Sequence, residues 1–173
     1  EAEDRFRFGS MVEACESEVV FVAVQTPHDD EYEGITRIPE TRRDFDYTHL
    51  INAIRDIRTI CDSRKFRPTI VVISTVLPGT MEREIIPRLG HLRLVYNPAF
   101  IAMGTTISDF CYPEFVLLGG RDDDTARVER VYEEAGIPGP FRCISIASAE
   151  LTKVAYNTFI GAKLAFANTI GEV

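Results

Sequence analysis

The stretch TIVVISTVLPGT, residues 69–80, decides the fold: five β-branched residues without polar interruption, then Ser74 and Thr75, then Pro78-Gly79 opening onto a helical pattern. A short unbroken apolar run of this kind reads as a strand buried on both faces, because a half-exposed strand would alternate. Similar runs recur at Val19 to Val24, Leu92 to Tyr96, Phe115 to Leu118 and Arg142 to Ile144. Helical patterns separate them. The clearest starts at Asp46 as a candidate cap, with Tyr47, Leu50, Ile51, Ile54, Ile57 and Cys61 on one face. Shorter helices are expected after Pro78-Gly79 to about Leu89, and from Asp122 to Ala135. Strand and helix alternating in this way give an α/β fold, a doubly wound parallel sheet with right-handed crossovers.

The 173 residues, 45% of them hydrophobic, suffice for one packed domain. No apolar run approaches a membrane span, and the acidic opening (Glu1, Glu3, Asp4) is unlike a signal peptide. A net charge of −8 argues against nucleic acid or anionic lipid as partners. Cys15, Cys61, Cys111 and Cys143 are scattered, with no CxxC and no histidine at ligand spacing, so no metal site is expected. They read as reduced thiols of a cytoplasmic protein.

Ligands of doubly wound sheets bind at the carboxyl ends of the strands. Attention therefore falls on Gln25-Thr26-Pro27, on Ser74-Thr75 with the backbone amides that follow, and on Asn97-Pro98. Ser74 and Thr75 suit either contact with a ligand or simple helix capping, and Asn97-Pro98 alone is ordinary turn chemistry. The long, acid-rich loop from Gln25 to Phe45 is either a ligand-facing flap or a surface insertion.

From Ser148, a candidate cap with Glu150 in the first turn, the pattern is helical to the end without proline. Such a helix is a rod of roughly 35–40 Å, long for covering a small sheet and natural as a connector or dimer spine. Glu150, Lys153, Asn157 and Asn168 form a polar stripe along it. Periodicity alone makes that stripe solvent-facing, with a weak Glu150–Lys153 pair.

Four segments in order, FVAVQTP (21–27), STVLPGT (74–80), YNPAFIAMGTTISDFCYPEFVLLGG (96–120) and ASAELTKVAYNTFIGAKLAFANTIGEV (147–173), resemble the UDP-glucose/GDP-mannose dehydrogenase family. The family patterns they match are a strand ending V-P-T-P, a strand ending S-T-V-P-x-G-T, the N-P-E-F-L-R-E-G segment, and the A-E-L-x-K-x-x-x-N central helix. The resemblance implies a Rossmann-type NAD-binding domain over 1–146, incomplete for want of its first strand-turn-helix, and the start of a central connecting helix over 147–173. It implies oxidation of a nucleotide-sugar C6 alcohol to the carboxylate in two hydride transfers to NAD, through a cysteine-bound thiohemiacetal and thioester. By the same resemblance Lys153 stabilises oxyanion charge with Asn157 as its hydrogen-bonding neighbour, and Thr75 lies near the nicotinamide and the hydrolytic water. Val24, Thr26 and Ser74 line the cofactor side, Phe100 and Ile101 offer backbone contacts to the sugar, and the central helix forms a homodimer.

Two departures qualify the resemblance. The family's two glutamates in N-P-E-F-L-R-E-G, linked to thioester hydrolysis and the cofactor, are Ala99 and Met103 here. No G-x-G-x-x-G and no G-G-x-C-x-P-K-D occurs, so the chain is expected to be an internal fragment unable to complete the reaction alone. Two other readings stand beside the dehydrogenase: a non-catalytic nucleotide-sugar-binding paralogue, and a 3-hydroxyacid-type NAD dehydrogenase sharing the Lys-x-x-x-Asn helix.

Overall fold

The structure is a computed structural model that describes residues 7–34, 37, 39–102, 104–137 and 139–171. Its elements in chain order are α1 (Met11–Cys15), β1 (Val19–Val22), α2 (Thr48–Arg64), β2 (Thr69–Val72), α3 (Ile86–Leu89), β3 (Arg93–Tyr96), α4 (Thr106–Cys111), β4 (Val116–Gly119), α5 (Asp122–Glu134), β5 (Phe141–Ile144) and α6 (Ile146–Gly171). The five strands form one sheet in the order β1-β2-β3-β4-β5.

β2 is buried along its whole length, as its unbroken β-branched run requires. Alternate residues feed two cores. Ile70 and Val72 pack with Leu50, Ile54 and Cys61 of α2, and Val71 packs with Val95, Leu118, Val128 and Tyr132 on the α5 side. The α2 face expected from spacing is the buried one, with Leu50, Ile54, Ile57 and Cys61 inside. The cap is Tyr47 rather than the expected Asp46, which sits one residue earlier with its Oδ1 accepting from the Thr48 amide at 2.8 Å. A left-handed Lys65 (φ 63°) ends it.

The helix expected after Pro78-Gly79 begins instead as a π-helical segment, Met81–Ile85, before α3. Pro87 explains this, since its ring has no N–H and crowds the carbonyl four residues back, a clash that the wider turn relieves.

The sheet is not parallel throughout. β1, β2 and β3 run parallel, and so do β4 and β5, but β4 lies antiparallel to β3 through the pair Tyr96↔Gly119. The connection between them explains why. A parallel crossover needs a helix long enough to carry the chain back along the sheet, and the six-residue α4 rises only about 9 Å against the ~13 Å of a four-residue strand. The thirteen-residue α5 does make such a return, and β5 is parallel to β4.

The reversal places α6. Gly119 stands opposite Tyr96, the last residue of β3, and Ile144 pairs with Gly119, so β5 ends and α6 begins level with the carboxyl end of β3. α6 starts at Ile146, and its cap is Ser145 rather than Ser148: the Ser145 hydroxyl accepts from the Ser148 amide at 3.1 Å. Its first turns press directly on β4. A Cβ added to Gly119 would lie 2.7 Å from the Ala149 Cβ, so only glycine allows this approach. From Ala155 to Gly171 every residue of the helix is exposed.

Asn97 holds the reversal together. Its amide donates to Val72 O at 2.8 Å, its Nδ2 to Leu117 O at 2.9 Å, and its Oδ1 accepts from the Tyr132 hydroxyl at 2.5 Å. Replacing it with alanine leaves a buried carbonyl and a buried phenol without partners. The Asn97→Ala variant should therefore lose about 2–4 kcal/mol of unfolding free energy, read from urea denaturation.

Candidate functional site

The loops after β1 and β2 close on each other. The Ser74 hydroxyl accepts from the Val24 amide at 3.0 Å and donates to Val24 O at 2.6 Å, and the Thr26 hydroxyl donates to Thr75 O at 2.7 Å. Val24, Thr26, Ser74 and Thr75, picked out separately along the chain, thus form one ledge at the carboxyl end of the sheet. Two of its three hydroxyls are spent on the ledge itself. The Thr75 hydroxyl has no partner among the described residues.

The amides of Leu77, Gly79 and Met81 are occupied as well, and none of these three is open to an anion. The Tyr47 hydroxyl accepts from the Leu77 amide and the Thr80 hydroxyl, both at 3.1 Å, and donates to Asp44 Oδ1 at 2.6 Å. The Glu150 carboxylate accepts from the Gly79 amide at 2.7 Å and the Met81 amide at 2.8 Å. Glu150 is 1% exposed, which overturns its reading as part of a solvent-facing stripe.

Lys153 is buried too, at 7% exposure. Its Nζ donates to Ala99 O at 2.8 Å, lies 4.9 Å from the centre of the Phe100 ring, and reaches Asn157 Oδ1 at 3.4 Å. The Phe100 ring is fixed in turn by Phe115 and Tyr156, each with ring centres 4.8 Å away. Carbonyl oxygen and ring face are the two neutral surroundings that suit an ammonium. Burial pushes the Lys153 ammonium below its ordinary value.

Lys153, Asn157, Phe100 and Ile101 line one groove of about 610 Å³ with Tyr112, Tyr156 and Ile160. That volume suits a small-molecule ligand. Asp109 shapes its rim, its Oδ2 accepting from the Ala102 amide at 2.9 Å and the Thr105 hydroxyl at 2.7 Å. The Ala102 amide, and then the Thr105 hydroxyl, hold its carboxyl below the usual range. Ala99, whose carbonyl accepts from Lys153, has a methyl where the resembled pattern has a carboxylate, and Met103 lies outside the described residues.

The model of the UDP-glucose/GDP-mannose dehydrogenase family, NAD binding domain, matches residues 1–136. The chain belongs to this family. It is 29% identical to the GDP-mannose 6-dehydrogenase of Pseudomonas aeruginosa over 91% of its own length and 36% of that protein's. Against a putative UDP-glucose 6-dehydrogenase of Bacillus subtilis the identity is 31%, over 95% of this chain and 36% of the relative. The solved UDP-glucose dehydrogenase of Pyrobaculum islandicum superposes with a TM-score of 0.79 at 26% identity, covering 98% of this chain and 38% of that one. The chain thus spans little more than a third of the length of these family members.

The matched domain is one that binds NAD. The ledge at Val24, Thr26, Ser74 and Thr75 carries no charged side chain, and its open polar group is the Thr75 hydroxyl. The strand-end amides of Leu77, Gly79 and Met81 are consumed internally and offer nothing to a pyrophosphate.

Sequence reasoning missed Glu150 and Tyr47 as loop anchors. Glu150 meets Gly79 across 71 positions and Tyr47 meets Leu77 across 30, and no local pattern encodes either pairing.

The Lys153 titration carries a consequence for stability. With its folded value depressed below the ordinary 10.5, the unfolded chain keeps a proton the folded chain has lost between those two values. Stability contributed by this group therefore rises with pH across that window, and the desolvation cost is fully present below it. Urea unfolding from neutral to alkaline pH should show wild type gaining on the Lys153→Met variant as pH climbs toward 10.5.

Proposed function

We propose that the protein carrying this chain oxidises the C6 hydroxyl of a nucleotide sugar, of the UDP-glucose or GDP-mannose type, to the uronate with NAD as acceptor. The observation that supports it is the desolvated Lys153 ammonium, held by Ala99 O and the Phe100 ring at a ligand-sized groove beside the NAD-domain sheet. A fixed cation in such a pocket favours oxygen atoms that gain negative charge as the C–H bond breaks. Asn157, one turn on, orients the same oxygen. Ile101 and the Phe100 backbone seat the sugar. Thr75 holds the nicotinamide side and the hydrolytic water, with Val24, Thr26 and Ser74 behind it. NAD, when bound, supplies the hydride acceptor.

None of the four cysteines lines the groove, and the reading leaves the covalent step to another cysteine. Residues 1–146 are read as the partial NAD-binding domain, and 147–173 as the opening of the central helix. We place the protein in the cytoplasm, in keeping with its unpaired cysteines; no described helix is long and apolar enough to cross a membrane.

With the intact protein, a panel of UDP- and GDP-sugars and NAD, NADH absorbance should rise for at least one sugar. The Lys153→Ala variant should lose about 10²–10³-fold in kcat. No NADH from any sugar overturns the reading. Calorimetric binding without turnover would favour the non-catalytic paralogue, which the Ala99 methyl in place of a carboxylate supports.

We also propose that α6 pairs with its copy in a homodimer. Phe159, Leu164, Phe166 and Ile170 are each at least 60% exposed, too much apolar surface to leave in water. Sedimentation should show a dimer for wild type and a monomer for Leu164→Glu/Phe166→Glu.

A further inference from the structure

Glu150 is a buried anion whose two oxygens point at backbone rather than at a cation. Its carboxylate takes the Gly79 and Met81 amides, 71 and 69 positions away, with both oxygens 2.7–2.8 Å from the donors. Such bonds to an ionised acceptor are roughly twice as strong as neutral ones. Lys153 lies three residues on, also buried, and is held by groups of the loop after β3. One turn of α6 therefore grips two strand-end loops at once, the loop after β2 through Glu150 and the loop after β3 through Lys153.

The loop gripped by Glu150 is the one that presents Thr75. It is pinned from its other side by the Tyr47 hydroxyl on Leu77 and Thr80. Ser74 ties its base to Val24. With amide, hydroxyl and carboxylate bonds on three sides, Thr75 has little freedom relative to the sheet. Of these bonds, only the Glu150 pair runs to α6, the helix that carries the lysine.

We propose that Glu150 is a positioning residue, a carboxylate clasp that fixes the Thr75 loop against α6 and so sets the geometry between the cofactor ledge and the Lys153 ammonium. The proposal rests on the dehydrogenase reading above. A glutamine at this position has the same shape but only one acceptor oxygen, so its NH2 group must face a backbone donor. The loop must then move away from the helix or turn. Displacements of about 1 Å between reacting groups can cost ~10²-fold in rate while leaving substrate contacts in place.

The test compares wild type, Glu150→Gln and Glu150→Asp in the intact protein by steady-state NADH formation, with circular dichroism to show that each is folded. The expected result for Glu150→Gln is a kcat reduced ~10–100-fold with the nucleotide-sugar KM within about 3-fold of wild type. Glu150→Asp keeps the charge but reaches only one amide, and should recover part of that loss. A folded Glu150→Gln variant with kcat within about 2-fold of wild type, or with only KM altered, overturns the proposal. Should Glu150→Gln fail to fold, Glu150→Asp carries the test, and an unchanged kcat there overturns it equally. Absence of turnover in wild type is a different result: it overturns the dehydrogenase reading, and the proposal with it.

Discussion

Asn97 stands where the sheet changes direction, and the rest of the arrangement depends on what it holds. The β3 and β4 backbones share one ladder pair, Tyr96↔Gly119, which by itself is a weak seam between a three-stranded and a two-stranded parallel unit. The Asn97 side chain closes that seam by bonding Leu117 O and the Tyr132 hydroxyl, while its amide continues the β2–β3 ladder to Val72. All three bonds are buried, where an unmade bond costs most. With β4 fixed there, β5 and the start of α6 follow from register, and the lysine arrives at the carboxyl end of the sheet.

Two buried charges of opposite sign sit three residues apart on α6, and neither neutralises the other. Glu150 is satisfied by amides, which carry positive partial charge, and Lys153 by a carbonyl and the negative face of a phenyl ring. Oriented neutral groups thus give each side chain its hydrogen-bond partners without pairing it to its neighbour. For the oxyanion role proposed for Lys153 this matters. An ammonium already committed to a carboxylate would have less field to offer.

The strand-end loops are satisfied largely from within the chain. Ser74, Thr26, Leu77, Gly79 and Met81 all spend their polar groups on other parts of the chain. The result is a ledge whose open polar group is the Thr75 hydroxyl, on a loop that Glu150 ties to α6. Preorganisation of this kind removes the reorganisation cost of aligning groups during a reaction.

By itself the sequence determined the elements and the family. The β-branched run 69–73 could only be a strand buried on both faces, and the spacing of Leu50, Ile54, Ile57 and Cys61 could only be one face of a helix. Both are local periodicities and need no tertiary information. The four ordered segments were likewise enough to carry the family. Tertiary structure alone decided three things: the antiparallel seam at β3 and β4, the cap at Ser145 instead of Ser148, and the burial of Glu150 and Lys153. Each depends on groups brought together by register or by packing. A polar stripe on a helix looks the same in sequence whether water or a backbone amide is waiting for it, and only the fold determines which.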